Sequence, residues 1–133
     1  MKRSLATTIT AIAMLLALIN RSSLASASEL SSSRTETGIA ACYSRRLSGH
    51  RTSSGRRYNP HALTAAHPTI PLGTRVKLTN LENGRSTVVT VNDRLSAHAG
   101  NIMIDISKRA CSNLKFPRGG EAKVRLEVLP QRT

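Results

Sequence analysis

The chain has 133 residues, with 20 Lys and Arg against 7 Asp and Glu, a formal net charge of +13 at neutral pH. That length holds one compact domain and little else. Such charge calls for a polyanionic surrounding or an acidic substrate, yet two Tyr, one Phe and no Trp leave few rings for bases to stack on. Nucleic acid is therefore not the expected partner; anionic polymers of a cell envelope are.

Residues 1–27 read as a secretory signal peptide. Lys2 and Arg3 precede an uncharged apolar run from Leu5 to Ile19, and Leu24-Ala25-Ser26-Ala27 ends in small residues at the spacing a signal peptidase reads. The run is shorter than the roughly 20 residues that span a bilayer as a helix. No cysteine sits at the expected cleavage site to take a lipid. The mature protein is thus expected to be periplasmic or secreted, with no stable membrane anchor.

Residues 28–37 are polar and rich in Ser and Thr, a flexible leader by composition. The folded domain is expected over 38–130. Gly38 to Ser44 reads as a first strand, and 45–61 as a long basic surface loop of the kind that often carries function. Arg75 to Thr79 alternates around Val76 and Leu78. Asn83-Gly84 then reads as a tight hairpin turn in which both residues accept a positive φ. The returning strand, Ser86 to Asn92, puts Val89 and Val91 on one face, with Asp93 next in that phase. Ile102, Ile104 and Ile106 mark another strand. Ser107 is placed to cap a short helix that shares Ala110, Cys111 and Leu114 on one face and is ended by Pro117 and Gly119-Gly120. The last strand alternates Ala122, Val124, Leu126 and Val128 against Lys123, Arg125 and Glu127. Several short strands and one helix point to a mainly β domain, closed into a small barrel so that no edge is left exposed.

Cys42 and Cys111 have a disulfide as their default in an oxidising compartment; two buried thiols, or Cys42 as a nucleophile, are the alternatives. His50, His61, His67 and His98 show no pair at zinc-ligand spacing joined to a Cys-x-x-Cys, so neither a metal nor a cofactor is expected.

From residue 52 onward a set of motifs appears in fixed order: Thr52-Ser-Ser-Gly55, Asn59-Pro-His-Ala-Leu-Thr-Ala-Ala-His67, Ile70-Pro-Leu-Gly-Thr74, Asn83-Gly84, Val91-Asn-Asp-Arg94 and Ile104-Asp-Ile-Ser107. Together they resemble the rare lipoprotein A family across nearly all of 38–129. The resemblance implies a six-stranded double-psi β-barrel with one short helix, acting on peptidoglycan. Some members are lytic transglycosylases on glycan strands stripped of peptides. By the same resemblance the catalytic residues fall on Asp93 and His67, and substrate contacts on Thr52, Thr64, Arg94 and Asp105. Asp105 also matches an acid kept by related glycan-binding barrels such as expansins. One departure stands out: Arg56 follows Gly55 where the family commonly carries an acid.

Lytic cleavage needs a proton for the leaving oxygen and stabilisation of an oxocarbenium-like transition state, while the sugar's own C6 hydroxyl attacks. A single carboxyl can serve in turn as acid and base. Asp93 takes that role in this reading, which requires burial beside Val89 and Val91 to hold its proton; Arg94, if turned inward, acts the other way. His67 would orient Asp93, share its proton or bond the sugar. The plainer alternative for both residues is turn capping, and for Asp105 support of the helix N-terminus. Arg45, Arg46, Arg51, Arg56 and Arg57 suit the carboxylates of a wall polymer. At the level of function, the alternative to a lytic enzyme is a non-catalytic wall-binding module, which Arg56 favours.

Overall fold

Alternating apolar residues build the walls of the fold, a computed structural model describing residues 34–43, 47–96 and 99–132. The expected signal peptide, residues 28–33 of the leader, and Arg45 and Arg46 lie outside the described residues. The described residues form six strands and one helix: β1 (Thr35–Cys42), β2 (Thr64–Ala66), β3 (Arg75–Asn80), β4 (Ser86–Asp93), β5 (Ile102–Ile106), α1 (Lys108–Asn113) and β6 (Glu121–Val128).

The strands close in the order β1-β5-β2-β4-β3-β6. β1 runs parallel to β5 and β2 parallel to β4, while the other pairs are antiparallel. Closure leaves no free sheet edge to recruit another chain. Ala65, Val76, Leu78, Val89, Val91, Ile104, Ile106, Val124 and Leu126 fill the interior, each large aliphatic side chain contributing about 1.5–3 kcal/mol by leaving water. Gly38 has no side chain for a local reason. A Cβ there would meet the Cβ and Sδ of Met103 at 2.9 Å, so only glycine lets β1 pass that methionine.

Four details differ from the sequence reading. The first strand begins at Thr35, inside the expected leader, because Thr35, Glu36 and Thr37 pair with Glu127, Leu126 and Arg125 of β6. A polar composition does not prevent pairing when a partner edge must be covered. β2 went unread: three small residues carry no alternation, and what makes them a strand is their place between β4 and β5. The hairpin between β3 and β4 is wider than a two-residue turn. Only Gly84 has a positive φ (75°), and the Asn83 side chain instead bridges Arg85 N and Leu114 O. The helix starts as expected, with Ser107 Oγ accepting from Ala110 N, but ends at Asn113, before Pro117, where Lys115 turns to φ 53°.

The two cysteines are bridged, Cys42 on β1 to Cys111 on α1, with Cα atoms 6.0 Å apart. This is an ordinary separation for a disulfide, and it ties the helix to the strand that leads to Tyr43.

Candidate active site

Strand register sets three acids in one line. Asp93 of β4 lies beside Ala66 of β2, Ala66 beside Asp105 of β5, Asp105 beside Ala41 of β1, and Ala41 beside Glu121 of β6. Ile104, Ile106, Ala40 and Ala122 face the core, so Asp105, Ala41 and Glu121 face outward by alternation. Two small residues, Ala66 and Ala41, separate the acids along the row. At about 4.8 Å per strand, the Cα atoms of Asp93 and Asp105 are roughly 10 Å apart.

Asp93 reaches this outer row through an irregularity. Ala65 pairs with Val91 but Ala66 pairs with Asp93, so Asn92 is the extra residue of a bulge. The expected phase with Val89 and Val91 is therefore broken, and Asp93 turns out of the core onto the outer face. Bulges re-aim side chains in this way beside functional sites.

The Asp93 carboxylate is half-buried and well supplied with donors. Tyr43 Oη donates to Oδ2 at 2.6 Å. Ser53 N and Ser53 Oγ donate to Oδ1, each at 2.8 Å, and Arg94 N does so at 2.8 Å. Burial pushes this carboxyl up, but the bonds from Tyr43, Ser53 and Arg94 together outweigh it and hold Asp93 below the usual carboxylate range. This reverses the expectation that Asp93 stores a proton. Asp105 behaves oppositely: burial first, and then the neighbouring Glu121 charge, push its carboxyl up. It stands in β5, and the first turn of α1 carries no acid, so helix support is not its role. Burial and the two Asp charges also raise the Tyr43 hydroxyl, which stays protonated as a donor. The Tyr43 ring packs on Tyr58 with centroids 4.9 Å apart.

The imidazole of His67 points elsewhere. It is 3% exposed. Its Nδ1 accepts from Thr69 N and Ile70 N, both at 3.1 Å, so the proton sits on Nε2, 3.4 Å from Glu36 Oε2. Burial lowers its pKa more than Glu36 raises it, and the ring is neutral at pH 7. Its link to Asp93 is through the backbone, His67 N donating to Asp93 O at 3.2 Å. The expected side-chain pairing is absent; the ring fixes the turn at 67–70.

Two of the expected substrate contacts serve loops instead. Thr52 Oγ1 donates to Arg56 O at 2.7 Å and pairs with Ser54 Oγ. Arg94 did turn inward: its Nη1 donates to Ile70 O at 2.6 Å and to His67 O at 3.1 Å. Thr64 does line a groove, together with Asn92, Thr90, Asn59, Arg56 and Arg57. From residue 47 on the basic loop is bonded to itself: Arg51 pairs with Arg57 across a bridge, and Arg57 Nη1 donates to Gly49 O at 2.7 Å. Tyr43, Ser53 and Glu36 were missed. Tyr43 had a signal, being one of three aromatics and adjoining a cysteine, and Ser53 stood inside the Thr52-Ser-Ser-Gly55 motif; Glu36 had none, since its contact with His67 spans a distant stretch of chain.

A model of the family described as lytic transglycolase matches residues 35–126. Over 95 residues the chain is 47% identical to the endolytic peptidoglycan transglycosylase RlpA of Neisseria meningitidis, covering 71% of this chain and 39% of that protein. It is 46% identical to the same-named protein of Vibrio cholerae, covering 71% and 36%. The chain thus spans less than half the length of these relatives. An expansin of Clavibacter michiganensis, solved in complex with cellohexaose, superposes with a TM-score of 0.59 at 18% identity, over 75% of this chain and 52% of that one. A Streptomyces papain inhibitor does so at 0.55 and 20%, over 73% and 96%. These two share the fold. With a closed six-stranded barrel and a family match across it, the chain belongs to the rare lipoprotein A family of double-psi β-barrel lytic transglycolases.

Proposed function

We propose that the protein is exported to a bacterial envelope and cleaves the glycan strands of peptidoglycan by the lytic route, leaving 1,6-anhydro ends. One observation carries the reading: two carboxyl groups in a single outward row, their proton affinities pushed apart by their surroundings. Such pairs divide acid and anion roles between them. Asp105 holds the proton and gives it to the leaving glycosidic oxygen. Asp93, ionised, stabilises the positive charge that grows at the sugar's anomeric carbon. The C6 hydroxyl then bonds to that carbon and returns its proton to Asp105, so no water enters and the acid is regenerated. His67 and Arg94 act as positioning residues that brace the loop behind Asp93. The Cys42–Cys111 bridge supports an oxidising compartment.

The test is to incubate the purified protein with peptide-free glycan and to look for 1,6-anhydro products by mass spectrometry. Asp105→Asn is expected to abolish them and Asp93→Asn to cut the rate at least about a hundredfold. Wild-type rates in Asp105→Asn would remove the mechanism. The observation favouring a binding module is the groove with two arginines beside Asp93. In that case the protein would be retained on insoluble peptidoglycan without new sugar ends, and both Asp variants would bind as wild type does.

A further inference from the structure

We propose that the groove beside Asp93 is a subsite for a carboxylated sugar, with Arg56 as the side chain that reads the carboxylate. The inference rests on the glycan-binding part of the proposed function and adds a selectivity to it. The groove has a volume of about 540 Å³, and it adjoins the catalytic row through Asn92, the bulge residue that precedes Asp93. The charged residues that line it are Arg56 and Arg57, and no acid is among them.

The two arginines are held differently. Arg57 is anchored, its Nη1 bonded to Gly49 O. Arg56 has a fixed backbone: its carbonyl accepts from Thr52 N at 2.8 Å and Thr52 Oγ1 at 2.7 Å, while its N–H meets Ser54 Oγ at 3.4 Å. Its guanidinium bonds none of the described residues. A rigid loop thus presents an unsatisfied planar fork at the groove, which suits a carboxylate bound through two parallel hydrogen bonds. Along the same lining, Thr64, Thr90, Asn59 and Asn92 offer further polar groups. An occupant with hydroxyls to satisfy these and one carboxylate for Arg56 is an acidic sugar. In a peptidoglycan strand, such a carboxylate is free once the peptide amide has been removed from the muramyl residue.

Titration calorimetry of the full protein tests this on three chains of equal length. They are peptide-free glycan, the same glycan with its carboxyls reduced to alcohols, and a uronate-containing oligosaccharide. Wild type is expected to bind the carboxylated glycan about tenfold more tightly than the reduced one. Arg56→Gln should shrink that ratio to about twofold or less, chiefly by weakening the carboxylated glycan, and Arg56→Glu should invert it. Lys77→Gln, which removes the same charge from the outer face of β3, should keep the wild-type ratio. Melting curves of each variant check that the fold is retained. A ratio unchanged in both Arg56 variants, or lost equally in Lys77→Gln, overturns the subsite. Equal, Arg56-dependent binding of the uronate chain supports the subsite and widens its occupant to acidic glycans at large. Carboxylate preference without 1,6-anhydro products would overturn the lytic reading alone, and products without preference would overturn the subsite alone.

Discussion

The hydroxyl of Tyr43 donates a 2.6 Å hydrogen bond to Oδ2 of Asp93, joining the loop after β1 to the end of β4 across 50 residues of sequence. The bond is short and charge-assisted, and its donor, with a hydroxyl raised by burial and by two neighbouring carboxylates, does not ionise in the working range. Tyr43 is therefore a permanent clamp on an anion. Removing the hydroxyl takes away one of the bonds that hold Asp93 ionised, so Tyr43→Phe should raise the Asp93 pKa. Carboxyl carbon NMR through an acid titration would read the shift directly, and an unchanged value would show that Ser53 and Arg94 suffice. The loss in stability should be about 1 kcal/mol, since the site is partly exposed.

Asp93 and Asp105 carry opposite pH signatures. Asp93, lowered in the folded state, contributes stability that is present above its unfolded value near 3.8 and is lost as pH falls from there through the folded value. Asp105, raised when folded, contributes nothing adverse below that same unfolded value, and its stability contribution is lost as pH rises through the folded value. Wherever Asp105 ionises in the folded protein, its charge is thus a cost borne for function. Asp105→Asn should melt higher than wild type at pH 7 and lose that advantage near pH 3. Asp93→Asn should melt lower at pH 7, by about 1 kcal/mol. Thermal melts at the two pH values check both signs, and an Asp105→Asn protein less stable at pH 7 would refute this account.

The same two groups set the activity profile. Activity needs Asp93 ionised and Asp105 protonated, so the rate should fall below the Asp93 pKa and again above the Asp105 pKa, with its optimum between the two. Tyr43→Phe should move only the acid limb, towards higher pH. A profile rising steadily to pH 8 would place the acid role on another residue.

The barrel was largely legible because most of its strands announce themselves by alternation: β5 matches its isoleucines from end to end, and β3, β4 and β6 differ from their expected spans by one residue. Ser107 was readable as a cap because capping is local. The remainder was set by distant partners. β2 exists because β4 and β5 flank it, and β1 starts early because β6 needs its edge covered. The site suffered most from this. Asp93 was found by motif, yet its outward aim depends on the Asn92 bulge, which a uniform count along the strand misses. The proton affinities then inverted, since Tyr43 and Ser53 lie 50 and 40 residues away.

His67 offers a separation of turn from chemistry. Two backbone N–H groups depend on its Nδ1, that of exposed Thr69 and that of buried Ile70, and leaving the buried one unpaired costs roughly 1–3 kcal/mol. Asn presents Oδ1 where His presents Nδ1, so His67→Asn should hold the turn and stay within about 1 kcal/mol of wild type, whereas His67→Ala should lose about 2–4 kcal/mol. The ring also has a lowered pKa, so its contribution is present above the unfolded value of 6.5 and lost as pH falls through the folded one. Denaturant titrations of both variants at pH 7.5 and 5 would show it. A His67→Asn protein that is as stable as wild type but inactive would place the imidazole in the reaction after all.

The bridge from Cys42 to Cys111 closes a loop with a sequence separation of 69, worth about 4 kcal/mol by chain entropy. It also has a local effect. Cys42 precedes Tyr43, whose N–H is held by Ile106 O at 2.8 Å, and Cys111 lies on the helix whose first N–H contacts Tyr58 Oη. Both rings of the Tyr43–Tyr58 pair are thus tied to the bridged elements. Cys42→Ser/Cys111→Ser should lower the melting temperature by more than about 10 °C and also loosen the Tyr43 clamp, raising the Asp93 pKa as Tyr43→Phe does. Reading both quantities on the reduced wild type separates the two effects: a lower melting point with an unmoved Asp93 titration would mean that the bridge stabilises the barrel without positioning the site.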